Sequence, residues 1–197
     1  MLEKYIILSN GRTGSNWLAN ILSNMVQPNE PWLFDLSDWT QSLGPRVVLH
    51  THQNWAVTLN MLEDNRLLAS SQTAAFYHGI IAYDDTYTGT ADFLDEGERL
   101  AAAIGDKKVL FMKNHGVLVV GDTVAQAYKR LYKLERICRA QVLAMSTGKP
   151  IKILSDEVIA AVKRPAPDDR HDRDTRDNLY FEAMMRVLDR DLPGYAD

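Results

Sequence analysis

Cysteine is almost absent: the 197 residues contain one, Cys138. A single thiol excludes an internal disulfide framework and fits a reducing compartment, so a cytoplasmic protein is expected. No run of about 18 apolar residues occurs, which leaves no candidate for a transmembrane helix. The start, Met1-Leu2-Glu3-Lys4-Tyr5, lacks the charged-then-apolar layout of a secretion signal. Positive charge is also short, with 22 Lys and Arg against 26 Asp and Glu. A net charge of −4 argues against the basic stripe of a nucleic-acid binder. There is no internal repeat and no low-complexity tract.

What is present is ordinary for a soluble globular protein: 46% hydrophobic and 24% charged residues. A chain of this length forms one domain or a small pair and buries most of its apolar surface. Strands are expected over 5–9, 46–52, 80–84, 108–113 and 116–120. Helices are expected over 15–25, 53–62, 94–104, 122–146, 155–163 and 177–190. The helix at 122–146 is the clearest, with Val124, Ala127, Tyr128, Leu131, Leu134, Cys138, Val142 and Met145 on one stripe. Asp122 and Thr123 can cap its start, and Gly148 and Pro150 end it. Cys138 falls on that stripe, so core packing is expected of it. Lys129, Arg130, Lys133, Arg136 and Arg139 lie largely off the stripe and read as a solvated face. Residues 163–177 balance five basic against five acidic side chains around Pro165 and Pro167, which reads as an exposed connector.

Three of the five histidines carry the chemistry. His50 and His52 close the apolar run Val47-Val48-Leu49-His50-Thr51-His52. Side chains two apart on a strand share a face, so both rings project together. His115 lies in Lys113-Asn114-His115-Gly116, after Val109-Leu110-Phe111-Met112. A polar triplet between two apolar runs suits a tight turn that presents one side chain to a cleft. Gly116 and Gly121 are expected to supply backbone freedom there. Three imidazoles with an open fourth position form a catalytic zinc site, whereas structural sites are closed by four protein ligands. The alternative is a set of unrelated surface or core histidines, the reading given to His78 and His171. The short link between 108–113 and 116–120 also supports antiparallel pairing.

These segments resemble the class II aldolase/adducin family, in the right order. The matching stretches are the His50-Thr51-His52 strand, Ser71-Gln72-Thr73-Ala74 running into Ile81-Ala82-Tyr83, and Asp95-Glu96-Gly97-Glu98-Arg99-Leu100. Asn114-His115-Gly116 running into Gly121, and Leu134-Glu135-Arg136 with Cys138, Ala140 and Gln141, follow. The tail Leu188-Asp189-Arg190-Asp191 with Pro193 completes the likeness over about residues 46–197. The resemblance implies a three-layer α/β/α fold with a central mixed, mostly antiparallel sheet. It implies a divalent metal, usually zinc, on His50, His52 and His115. It also implies a lyase that cleaves or epimerises a sugar or hydroxy-carbonyl substrate through a metal-stabilised enediolate. Homo-oligomers, tetramers among them, with metal sites near subunit boundaries are implied as well.

The first 45 residues read differently and form an atypical segment before the 46–197 domain. Tyr5 to Ser9 reads as a strand, and Trp17 to Met25 as an amphipathic helix. Between them Gly11-Arg12-Thr13-Gly14-Ser15 offers backbone N–H groups at a helix start, a setting for a phosphate or sulfate. No Lys follows Gly14, so the Walker pattern is not met. The stretch resembles the phosphosulfate-binding loop that opens sulfotransferases. Aldolases of the family carry a longer region here, with a phosphate loop and an acidic catalytic residue. Glu30, Asp35 and Asp38 are the upstream acids, and Glu30 is the candidate for proton transfer. Two other readings stand beside the metal lyase: a sulfotransferase-type transferase, and a non-catalytic adducin-like assembly domain.

Overall fold

The computed structural model describes residues 47–87, 94–164 and 173–191. Strand 5–9, the Gly11–Ser15 loop, helix 15–25 and Glu30 lie outside the described residues.

Four strands form one sheet: β1 (Val47–Thr51), β2 (Ile81–Asp84), β3 (Val109–Met112) and β4 (Val117–Gly121), in the order β1-β4-β3-β2. β1 pairs antiparallel with β4, and β4 with β3, while β2 and β3 run parallel. The sheet is therefore mixed and mostly antiparallel. The β3–β4 hairpin follows from the short Lys113–Gly116 link. The parallel pair needs a crossover, which helix α3 (Leu94–Ile104) supplies. β3 and β4 are central, and all their residues are buried, which explains why both read as unbroken apolar runs.

Alternation along the strands builds two cores. Leu49, Val109, Phe111, Val117 and Val119 face α1 (Asn54–Asn60) and the long α4 (Val124–Met145). Val48, Leu110, Met112, Leu118 and Val120 face Leu100, Ala101, Ala103 and Ile104 of α3. Helices thus cover both faces, giving three layers. A single-turn α2 (Gln72–Ala75), α5 (Asp156–Lys163) and α6 (Arg173–Asp191) complete the chain order. Tyr180, Phe181 and Met184 of α6 pack on the first core.

Several boundaries follow local chemistry. Thr123 is the cap of α4, accepting the Gln126 N–H at 3.1 Å. Gly148 takes a positive φ of 67°, the conformation that ends a helix. Cys138 is fully buried, and burial raises its thiol pKa, so it is an inert packing residue. Ser71 caps α2, which is too short for a periodic pattern to reveal. The last helix begins at Arg173 rather than 177, because its polar first turn carries no apolar period. Met145, expected on the core stripe of α4, is exposed at the last residue of that helix.

The basic face of α4 is not simply solvated. Lys129 pairs with the buried Asp177 of α6 at 2.5 Å, and Arg130 donates to the Val120 carbonyl. Glu135 has a structural task across the core. Its carboxylate accepts the Trp55 and Ala56 N–H groups, each at 3.0 Å. Those are two of the orphan donors at the start of α1, where Gln53 makes no side-chain cap. Burial raises the Glu135 pKa, and the two N–H groups oppose that shift.

Candidate metal centre

The sheet register assembles the site. Thr51 is opposite Val117, so the end of β1 lies against the foot of the β3–β4 hairpin. Val48 and His50 point to the α3 face, and the chain carries His52 on in the same sense just beyond β1. The hairpin loop Lys113–Gly116 then brings His115 over both. Ring centroids are 4.9 Å apart for His50–His52, 5.0 Å for His50–His115 and 4.5 Å for His52–His115. One ligand nitrogen from each ring can be chosen so that all lie within 4.8 Å of one another.

That geometry fits an ion with a modest adjustment. Zn–N bonds of about 2.0–2.1 Å in a tetrahedron put nitrogens about 3.3 Å apart. The His50 and His52 Nε2 atoms are 3.0 Å apart, already near that spacing. The widest spacing must shrink by a ring rotation. The Nδ1 of His50 is 3.0 Å from the Val117 carbonyl, which can only accept, so Nδ1 carries the proton and Nε2 offers a lone pair. His52 is exposed, so the open side of the cluster faces solvent.

Electrostatics favour neutral rings. Burial, reinforced by the neighbouring His52 and His115, lowers the His50 pKa from 6.5 to about 3. Burial and His115 lower that of His52 as well. Neutral imidazole is the metal-binding form.

Gly116 makes the convergence possible. A Cβ there would sit 2.5 Å from the Thr51 carbonyl oxygen, 2.7 Å from His52 Cδ2 and 3.1 Å from His50 Cε1. The requirement is close approach, not the backbone freedom expected from the sequence. Gly121 is similar: its Cβ would meet the Ala127 nitrogen of α4 at 2.5 Å. The residue in the left-handed region is instead Asn114, with φ 55°. Asparagine tolerates that conformation better than other non-glycine residues.

Comparison with known proteins agrees with this architecture. The family model "Class II Aldolase and Adducin N-terminal domain" matches residues 41–142. The chain belongs to the class II aldolase and adducin family. A Caulobacter vibrioides protein assigned provisionally to aldolase class 2 is 35% identical over 150 residues, covering 76% of this chain and 57% of that protein. The crystal structure of an aldolase II superfamily protein from Pseudomonas syringae aligns with a TM-score of 0.64 at 35% identity, over 76% of this chain and 58% of that one. Adducin-related protein 1 of Caenorhabditis elegans is 29% identical, over 73% of this chain and 20% of its own length. The chain thus spans a little over half the length of the aldolase-type relative and the aligned structure. These findings lend no support to the phosphosulfate-loop reading of the first 25 residues. No helix among the described residues is long and apolar enough to cross a membrane.

Sequence reasoning missed two features of this family member's site. Tyr87 stands beside it, its ring 6.4 Å from that of His115 and half exposed. It sits in a loop, where no period marks it. The close packing around Gly116 depends on β1, 65 positions earlier at Thr51, and local pattern carries no trace of it. His78, for which the sequence leaves a structural or a surface role open, is exposed.

Two expected results arise here. Asn114→Val costs about 1–2 kcal/mol through left-handed strain, while Asn114→Gly is near neutral. Urea denaturation midpoints of the two variants measure the difference. The second concerns acid. The unfolded His50 binds a proton below pH 6.5 and the folded one only near pH 3. The contribution of His50 to the stability of the folded metal-free protein is therefore fully present above pH 6.5 and is lost progressively as pH falls toward 3. His52 acts in the same direction. A His50→Gln variant shows a shallower fall across that window when urea midpoints are measured against pH.

Proposed function

We propose that this chain is a metal-dependent lyase of the aldolase type, cleaving or epimerising a sugar or other hydroxy-carbonyl substrate. The observation that carries this reading is the convergence of His50, His52 and His115 at one strand end and one hairpin turn. The ligand set, three neutral nitrogen donors with an open side, suits zinc or another divalent ion. When bound, such an ion supplies a Lewis acid for the oxygen on which charge builds as the carbon–carbon bond breaks.

The remaining work falls to the chain. His50, held by its bond to the Val117 carbonyl, keeps one tautomer and one orientation. Uncharged histidines leave the full charge of the ion available to the substrate oxygen. The exposed side at His52 admits the substrate. Proton transfer is assigned to Glu30, which lies in the amino-terminal segment that precedes the sheet. The aldolase-type relative supports this reading, while the adducin branch of the family keeps an assembly role as the competing one.

The test is a panel of sugar phosphates and free hydroxy-carbonyl sugars, followed by coupled detection of the aldehyde product. Turnover that disappears with a chelator and returns with zinc, cobalt or manganese supports the proposal. A purified protein that holds its ion yet turns over nothing on the panel, and self-associates through this domain, favours the assembly reading.

A further inference from the structure

We infer that Asn60 is the positioning residue that fixes where His115 stands, and so sets the metal affinity of the three-imidazole site; this rests on the metal reading above. Asn60 ends α1 and is completely buried. It grips the chain on both sides of His115. Its backbone carbonyl accepts the N–H of Asn114 at 3.2 Å. Its side-chain Nδ2 donates to the carbonyl of Gly116 at 2.8 Å. One residue therefore holds the two neighbours of the ligand.

The grip is itself oriented. Asn65, also buried, donates its Nδ2 to the Asn60 Oδ1 at 3.0 Å. That bond fixes which way the Asn60 amide faces, because Oδ1 needs a donor and Nδ2 needs a carbonyl. Two buried amides are costly unless their hydrogen bonds are made. They occur where the hairpin leaves the Asn114 N–H and the second lone pair of the Gly116 carbonyl to be satisfied. The first lone pair takes the Met112 N–H at 3.0 Å.

The support behind Asn60 is rigid. Ala56 and Leu59 anchor α1 in the main core, and Glu135 holds its start. Lys113 adds a third tie, its Nζ donating to the Leu62 and Glu63 carbonyls at 2.8 and 2.6 Å. The turn that carries His115 joins β3 to β4 in the same sheet as His50, and Asn60 and Lys113 fasten it in addition to α1 and the loop after it. Metal affinity depends on holding the turn in register with the end of β1, as supporting residues at metal sites generally do.

Zinc affinity measured by competition with a chromophoric chelator tests this, on folded protein well below its unfolding temperature. Asn60→Asp keeps the size but turns a carboxylate oxygen toward the Gly116 carbonyl. A loss of about 10–100-fold in zinc affinity is expected. The visible spectrum of the cobalt-loaded protein should change with it. Should Asn60→Asp fail to fold, Asn65→Ser carries the test, since it removes only the orienting bond; a smaller loss and a spectral change are expected. Thr123→Ala is the control. Thr123 caps α4 just after Gly121, which pairs with Val47 at the end of β1 away from Thr51 and the histidines, so the variant should lower thermal stability with wild-type zinc affinity. Folded Asn60 or Asn65 variants with wild-type affinity and an unchanged cobalt spectrum would overturn the inference and leave a purely structural role. A wild-type protein that binds neither zinc nor cobalt removes the metal reading itself, and the inference with it.

Discussion

His115→Ala is expected to strip the protein of its metal and of turnover while leaving the fold close to native. Two imidazoles and water make a poor site, so affinity falls by more than the about 10–100-fold that residues supporting a ligand cost. The fold is spared because His115 lies in a hairpin loop and belongs to neither apolar core. Its neighbours keep their bonds to Asn60 through backbone and a separate side chain. Far-ultraviolet circular dichroism should overlay the wild type, with metal content near zero. Full metal content and full turnover in this variant would show that His115 is no ligand, and the lyase reading would go with it.

Gly116→Ala should have the same functional outcome by a different route. One methyl group added 2.5 Å from the Thr51 oxygen forces the end of β1 away from the hairpin. Overpacking of this kind costs about 1–3 kcal/mol. The displaced parts are those that carry His50, His52 and His115, so metal binding is lost as well. Gly121→Ala provides the contrast. Its clash with Ala127 is as severe, but it presses on the start of α4 and not on the histidines. It should lose comparable stability and keep its metal. Equal metal loss in both variants would mean that the site responds to general loosening and not to the contact at Gly116.

Much of this site is legible in the sequence because its ligands obey local rules. His50 and His52 share a strand face by alternation, and His115 stands in a polar interruption between two apolar runs. The helix α4 is readable through its 3.6-residue stripe, and its end through Gly148. Other elements leave no local signature. α2 is one turn long and depends on Ser71. The parallel β2–β3 pair is fixed by the crossover through α3, not by either strand's composition. The Asn60–Gly116 and Glu135–Trp55 bonds join residues 56 and 80 positions apart. Asparagine and glutamate in helices look like surface residues until the fold places them against unpaired backbone groups. Gly116 was legible as a glycine in a turn, yet its reason is the oxygen of Thr51.

The central claim is that three imidazoles hold one ion. X-ray absorption on protein purified without chelator, combined with elemental analysis, tests it most directly. The account predicts about one divalent ion per chain, with nitrogen neighbours at about 2.0–2.1 Å and a histidine scattering pattern. Protein that carries no stoichiometric divalent metal and takes none up when zinc is offered would contradict it.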